Sequence, residues 1–376
     1  MHASKPVSRT SSCLPMPKWL CAILTLLLFI PPLVAQEVEW SVDASMLINN
    51  REGGDKYTPD GTILFTRLAP ELGVSMLDGE HELKGGVVWY QPMIDDMTGY
   101  KVLPTLYYRY NHRSGLHVTA GLMPRSLMVE RVPRYMWSDS LNYVQPNMRG
   151  VMAQLIKPAG YFEMAIDWRQ MQTEHQREAF TAMLNTDWRL RGPLRLEGHM
   201  QYNHLAMSSV HDSDQHVNDD LLINPMLALD LSHRNVLDSL RMSAGAIFAL
   251  ERDRGDMHWH DHVGFIATAT ARWRWLQVDE TFYTGEDLMP LFPKLGVELN
   301  LGDPYYRHEA YSRTDIIFHI VSNRFVNLTG SLVLHASSEK SGFWQQMTCR
   351  FYIDNLLWKR RHDRDYLRSG RLRNLY

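Results

Sequence analysis

Segment after segment of this sequence alternates apolar and polar residues with a period of two, and that one feature restricts what the chain can build. Val38, Trp40, Val42, Ala44, Met46 and Ile48 share one parity, while Glu37, Glu39, Ser41, Asp43, Ser45 and Asn49 take the other. Successive side chains of a β-strand point to opposite faces, so each such run is a strand with one apolar face. Phe162, Met164, Ile166 and Trp168 stand against Tyr161, Glu163, Asp167 and Arg169 in the same way. So do Leu194, Leu196, Met200 and Tyr202 against Arg195, Glu197, His199, Gln201 and Asn203. Asp78 and Gly79 between two alternating runs signal a tight hairpin. No helical stripe of comparable length precedes residue 354.

Two architectures bury one face of such strands: a sandwich with the apolar face inward, or a membrane barrel with that face outward in lipid. The runs place strands at roughly 38–48, 62–77, 81–92, 102–112, 116–123, 148–156, 161–170 and 177–190. They continue at roughly 194–206, 221–232, 240–252, 262–275, 278–284, 307–321, 324–336 and 342–353. The links alternate: 49–61, 93–101, 124–147, 207–220, 253–261 and 285–306 are long, whereas 78–80, 113–115 and 157–160 are short. A sandwich has no reason to sort its loops by length in this manner. The expected fold is all-β, a single up-and-down antiparallel transmembrane β-barrel of about 16 strands with long outer loops and short periplasmic turns.

Composition agrees. A chain of 376 residues with 22% charged residues and a mean hydropathy of −0.31 is not a bundle of membrane helices. A net charge of −3 offers no basic field for nucleic acid. Lys5, Arg9 and Lys18 precede the apolar run 19–30, and Ala35 precedes Gln36, the layout of a secretory signal peptide. The organisation expected is thus a signal peptide at 1–35, a barrel at 36–353 and a basic periplasmic tail at 354–376. Removal of the leader leaves Cys349 without Cys13 or Cys21, so no intramolecular disulfide is expected. The destination is the outer membrane of a Gram-negative-type bacterium.

Trp40, Trp89, Tyr108, Tyr110, Phe162, Trp168, Tyr202, Trp273 and Trp275 lie on apolar parity near strand ends, as aromatic girdles do. With the sorted loops, this pattern resembles an outer-membrane β-barrel of the porin type. The resemblance implies that the third outer loop, 124–147, folds into the lumen and forms a constriction from Arg125, Glu130, Arg131, Arg134 and Asp139. It also implies passive diffusion of small hydrophilic solutes, contact with outer-membrane lipid, a homotrimer and no cofactor. The polar parity gives the expected lumen wall: Arg67, Arg109, Glu163, Asp167, Arg195, Glu197, Arg241, Arg272, Arg274 and Arg350.

Other constellations bear on chemistry. His258, His260 and His262, with Asp256 and Asp261, could share a divalent metal, against the plainer reading of a solvated loop tip; no metal is assigned. His204, His211 and His216 with Asp212 and Asp214 form a looser group in a loop. A lipid-modifying barrel enzyme would carry a His or Ser dyad on its lipid-facing wall near the outer rim. His112 and Ser114 fall instead at a periplasmic turn, and no pair of the right parity emerges at the outer end. The chain is therefore expected not to be an enzyme. The alternatives to a channel are a barrel plugged by 285–306 that serves a secretion or assembly system, and, behind it, the lipid-modifying enzyme.

Overall fold

The computed structural model describes residues 37–54, 56–93, 98–210, 214–256 and 258–355. The expected signal peptide lies outside these residues, as does nearly all of the basic tail.

Sixteen antiparallel strands close into one barrel in chain order, with β1 hydrogen-bonded to β16. The first eight are β1 Glu37–Glu52, β2 Gly61–Met76, β3 His81–Pro92, β4 Lys101–Asn111, β5 Leu116–Pro124, β6 Asn147–Lys157, β7 Gly160–Gln170 and β8 Ala179–Arg191. The second eight are β9 Leu194–Leu205, β10 Asn218–Asp230, β11 Ser239–Asp253, β12 Trp259–Trp273, β13 Leu276–Gly285, β14 Ala310–Ser322, β15 Val326–Ser337 and β16 Ser341–Asp354. Closure pairs every strand on both sides, which satisfies the backbone amides in a hydrocarbon layer that offers no water.

The faces follow the sequence parity. Trp40, Trp89, Tyr108, Trp168, Phe265 and Trp273 are exposed outward, whereas Asp43, Arg67, Glu163, Asp167 and Arg350 are buried inward. Inside, Asp43 accepts from Arg67 Nη2 of β2 at 2.5 Å and from Arg350 Nε of β16 at 3.0 Å, so one carboxylate ties together the three strands at the closing seam.

Two outer loops enter the lumen. The third, 125–146, carries helix α1 (Asp139–Val144), and the seventh, 286–309, carries helix α2 (Phe292–Leu295). Leu127, Tyr135, Met136 and Trp137 of the third loop and Leu288, Met289, Tyr305 and Tyr306 of the seventh join wall residues from Tyr107 round to Trp344 in one apolar cluster. The loops also bond to each other. The Ser138 amide donates to the Leu301 carbonyl at 2.7 Å, and the Asp303 amide donates to the Arg134 carbonyl at 2.8 Å. A lumen that sixteen strands would leave aqueous is here packed across by side chains.

Candidate functional site

The five constriction residues all sit in the inward third loop, and the structure gives four of them a close ionic partner. Arg125 Nη2 bonds Asp167 at 2.6 Å while its guanidinium lies 3.6 Å over the Trp137 ring. Arg131 and Arg134 both bond Asp139, which also accepts from Arg313 Nη1 of β14 at 2.9 Å. Glu130 accepts from Tyr161 Oη at 3.2 Å, and burial pushes its carboxyl up. The arginines thus hold the loop against the wall.

Burial alone would raise the Asp139 carboxyl, but the guanidiniums of Arg131, Arg134 and Arg313 outweigh it and hold the group well below the usual carboxylate range. A carboxylate depressed in the folded state stabilises that state above its unfolded pKa of about 3.9 and loses the contribution as pH falls below that value. Hydrogen exchange of residues 125–146, corrected for the intrinsic pH dependence of amide exchange, is therefore expected to lose its Asp139-dependent protection only below about pH 4. Asp139→Asn should quicken it above that pH, since breaking a buried pair costs about 3–5 kcal/mol.

The lumen wall combines ion pairs with hydrogen bonds from charged groups to amides. Arg195 Nε meets Asp187 at 2.6 Å, and Arg241 reaches Asp187 at 2.8 Å as well as Glu197. Glu163 accepts from Gln154 Nε2 at 2.6 Å and from the Val129 amide at 2.8 Å, Arg109 Nη2 donates to Gln154 Oε1 at 3.2 Å, and Arg67 and Arg350 share Asp43. Arg272 stands on the inward parity of β12. Arg274 does not line the wall. It occupies the turn after β12 with a φ of 54°, its guanidinium 5.1 Å from the Trp273 ring, because the alternation Trp273, Arg274, Trp275 runs on past the end of the strand.

The three histidines do not converge. The His258 and His260 rings lie 4.9 Å apart and His260 and His262 6.5 Å apart, and His262 Nδ1 turns to the Asp287 carbonyl. Among the described residues no group of three or more His, Cys, Asp or Glu is arranged to hold a metal ion. His112 Nδ1 and Ser114 Oγ are 2.7 Å apart, at a periplasmic turn.

A pair of the kind the sequence reading did not find exists on the opposite rim. β10 begins at Asn218, so Asp219 is a strand residue directly opposite His204 of β9. Both have the lipid-facing parity of Leu196, Met200, Ile223 and Leu227, and both lie within two residues of the outer strand ends. His204 Nδ1 donates to Asp219 Oδ1 at 2.9 Å. The same carboxylate accepts from Tyr202 Oη at 2.7 Å, from Arg254 Nε at 2.9 Å and from Arg252 Nη2 at 3.3 Å. Asp219 is only 2% exposed beneath these donors.

Register extends the cluster sideways. His204 is opposite Phe180 of β8, and Asp219 is opposite Arg252 of β11, whose guanidinium lies 4.5 Å over Trp259 of β12. The Phe180 ring is 5.0 Å from His204 and stacks at 5.3 Å on Trp168 of β7. At the rim Arg177 clamps the strand ends, donating to the Ala206 and His216 carbonyls at 2.8 and 2.6 Å. With Nδ1 bound to Asp219, the remaining ring nitrogen of His204, Nε2, has no protein partner among the described residues. An oriented imidazole beside two guanidiniums and an aromatic shelf can take a proton from water and stabilise an oxyanion.

The sequence matches the lipid A 3′-O-deacylase-type family over residues 30–352. The chain belongs to that family. Its membership corrects the expectation of a barrel without enzymatic activity, since the lipid A 3′-O-deacylase-type family is named for ester hydrolysis. A comparison with curated proteins finds no similar sequence. Among solved structures the fold is similar to OccK5 (OpdH) of Pseudomonas aeruginosa, with 8% identity, a TM-score of 0.52 and coverage of 85% of this chain and 98% of that one. It is similar also to a loop L8 deletion mutant of OmpT, an outer membrane protein of Vibrio cholerae, with 11% identity, a TM-score of 0.50 and coverage of 85% and 100%. This member of the deacylase-type family therefore has a porin-like outer-membrane barrel.

Proposed function

We propose that this barrel is an outer-membrane ester hydrolase that removes an O-linked acyl chain from a saccharide lipid of the outer leaflet, and that the reaction runs on its outer wall. The observation that carries the reading is the His204–Asp219 pair, lipid-facing and level with the outer rim, its Nε2 open to a ligand. A lipid ester can reach that wall without leaving the membrane.

In the reaction His204 Nε2 takes a proton from water as the oxygen attacks the ester carbonyl. Asp219 holds the imidazole in the tautomer that accepts there and faces the imidazolium that forms. Arg252 and Arg254 stand beside the developing oxyanion. Collapse breaks the bond between the carbonyl carbon and the saccharide oxygen, and the proton on His204 passes to that oxygen. The products are a fatty acid and a free hydroxyl.

The test is release of fatty acid, followed by mass spectrometry, from a 3-O-acylated glucosamine lipid presented in bilayers to the purified barrel. One acyl chain lost from the lipid supports the reading; intact substrates with a correctly assembled barrel overturn it. Trp168 and Phe180 supply the shelf for the acyl chain. Phe180→Ala is expected to raise KM about tenfold with kcat nearly kept, because burial of one aromatic ring is worth roughly 1.5–3 kcal/mol.

A diffusion pore is the second reading. It is favoured by a charged cavity of about 40 Å³ lined by Asp43, Arg67, Glu71, Thr105 and Arg350, beside the base of the third loop at Ser126 and Leu127. The packing of the third and seventh loops across the lumen opposes it.

A further inference from the structure

One stretch of the wall is incomplete at the depth where outer-leaflet lipid touches it. β4 pairs with β3 as far as Lys101, but its ladder with β5 ends at Leu106 and Leu122, so Lys101–Thr105 have no strand on that side among the described residues. Two more steps of the same register set Pro104 against Pro124, and neither has an N–H to give a ladder. β5 and β6 stay paired with each other up to Pro124 and Asn147, while β6 leaves β7 after Gly150 and Asp167. Both departures begin at one level. Gly121 and Gly150 face each other there with φ of 122° and 154°, and a Cβ on either would strike a carbonyl oxygen of the neighbouring strand, Leu106 or Ile166. Above this glycine pair the outer ends of β5 and β6 form a two-stranded flap that carries the third loop inward.

The flap is fastened unevenly. On the β7 side the Arg149 amide donates to Asp167 Oδ1 at 2.9 Å and Arg149 Nη1 to the Arg169 carbonyl at 2.7 Å. On the β4 side one hydrogen bond crosses among the described residues, from Asn147 Nδ2 to the Pro104 carbonyl at 3.3 Å. The neighbours Val102 and Leu106 are exposed on the lipid face, and Val102 is the partner of the girdle residue Trp89. Backbone without ladder partners is tolerated at membrane depth only where it meets protein or a watery cavity. A cavity lies behind this seam, since Thr105, Pro124 and Asn147 also line the 40 Å³ space that reaches Glu71 and the Asp43 fork.

The lining tells what the cavity would take. Its two carboxylates, Asp43 and Glu71, balance the guanidiniums of Arg67 and Arg350, so a head group without net charge suits it. Three of its polar atoms, Glu71 Oε1, Thr105 Oγ1 and Asn147 Oδ1, are buried with no hydrogen-bond partner, and all three can accept from hydroxyls. A seam between two strands passes one alkyl chain and not a two-tailed lipid. We propose that the seam between β4 and β5 is a side entrance from the outer leaflet, and that the cavity behind it holds the small hydroxyl-bearing head of a single-chain amphiphile of the monoacylglycerol kind, its tail left in the bilayer. The entrance is on the opposite side of the chain order from the β9–β10 dyad and stands whether or not that dyad hydrolyses esters.

The test uses the intact barrel in phospholipid vesicles and a monoacylglycerol with a photoreactive diazirine on its head. Irradiation should label Thr105 and Glu71 saturably, and a diacylglycerol with the same diazirine should label them roughly tenfold less. Pro104→Cys with Pro124→Cys, in a Cys349→Ser background, places a disulfide across the seam; oxidation should cut the labelling about tenfold and reductant should restore it in the same sample. Label confined to lipid-facing residues such as Leu106 and Val151, equal for both lipids, overturns the proposal. So does labelling of Thr105 that is indifferent to the disulfide. Disulfide-linked dimers formed by Pro104→Cys alone overturn it as well, by giving this face to a second copy of the chain. The wild-type labelling pattern decides the matter even where the double variant fails to assemble.

Discussion

Replacing His204 with Gln is expected to lower the rate of acyl release by about 10²–10⁴-fold, the range a positioned general base contributes. The loss should fall on kcat, since the ring is asked to move a proton and the shelf beside it to hold the chain. Asp219→Asn should approach the same loss by a different route, because an amide no longer fixes the tautomer in which Nε2 accepts. Tyr202→Phe removes one donor to Asp219 at 2.7 Å and leaves the imidazole bond in place, so it should cost far less. Each variant must migrate as a folded barrel before heating, which separates lost chemistry from lost assembly. Full activity in His204→Gln would remove the outer wall from the reaction and send the search into the lumen.

The second large effect concerns the interior. The intact barrel is expected to be silent in planar bilayers, and a variant in which a short Gly-Ser linker replaces residues 288–301 is expected to conduct steadily. The segment removed brings Leu288, Met289, Phe292 and Leu301 into the cluster that closes the lumen. Each buried apolar side chain of this size is worth roughly 1.5–3 kcal/mol, so the seventh loop does not leave its place thermally. The wall survives the deletion because its backbone ladders do not pass through the loop. Steady conductance of the intact protein would instead restore the pore, with the third loop as its constriction.

Much of the architecture is legible in the sequence because a period of two is a local property. Each strand declares its own lipid face, and loop lengths declare the rim. The inward third loop is legible too, since Tyr135, Trp137 and Leu141 cannot stay in water. The hydrolytic pair is not, for a definable reason. Asn218, Asp219 and Asp220 have poor strand propensity and read as loop, so the strand appears to start at 221, whereas the structure pairs these residues with 203–205. Three residues of ladder therefore hide the parity that sets Asp219 beside His204 and sends Asp220 inward. The filling of the lumen by the seventh loop is hidden as well, because it depends on contacts between loops far apart in sequence.

The fork at Asp43 bears on how the cylinder comes into being. Its two arginine partners lie 24 and 307 positions away along the chain, on the strands either side of β1. Hairpins of neighbouring strands can zip up locally, but the join between first and last strands brings together the most distant parts of the polypeptide and must wait for the rest. At that late moment a slip of one residue would turn every side chain of the incoming strand inside out. A carboxylate that accepts both guanidiniums at one alignment acts as a latch, proofreading the final join before the sheet becomes endless.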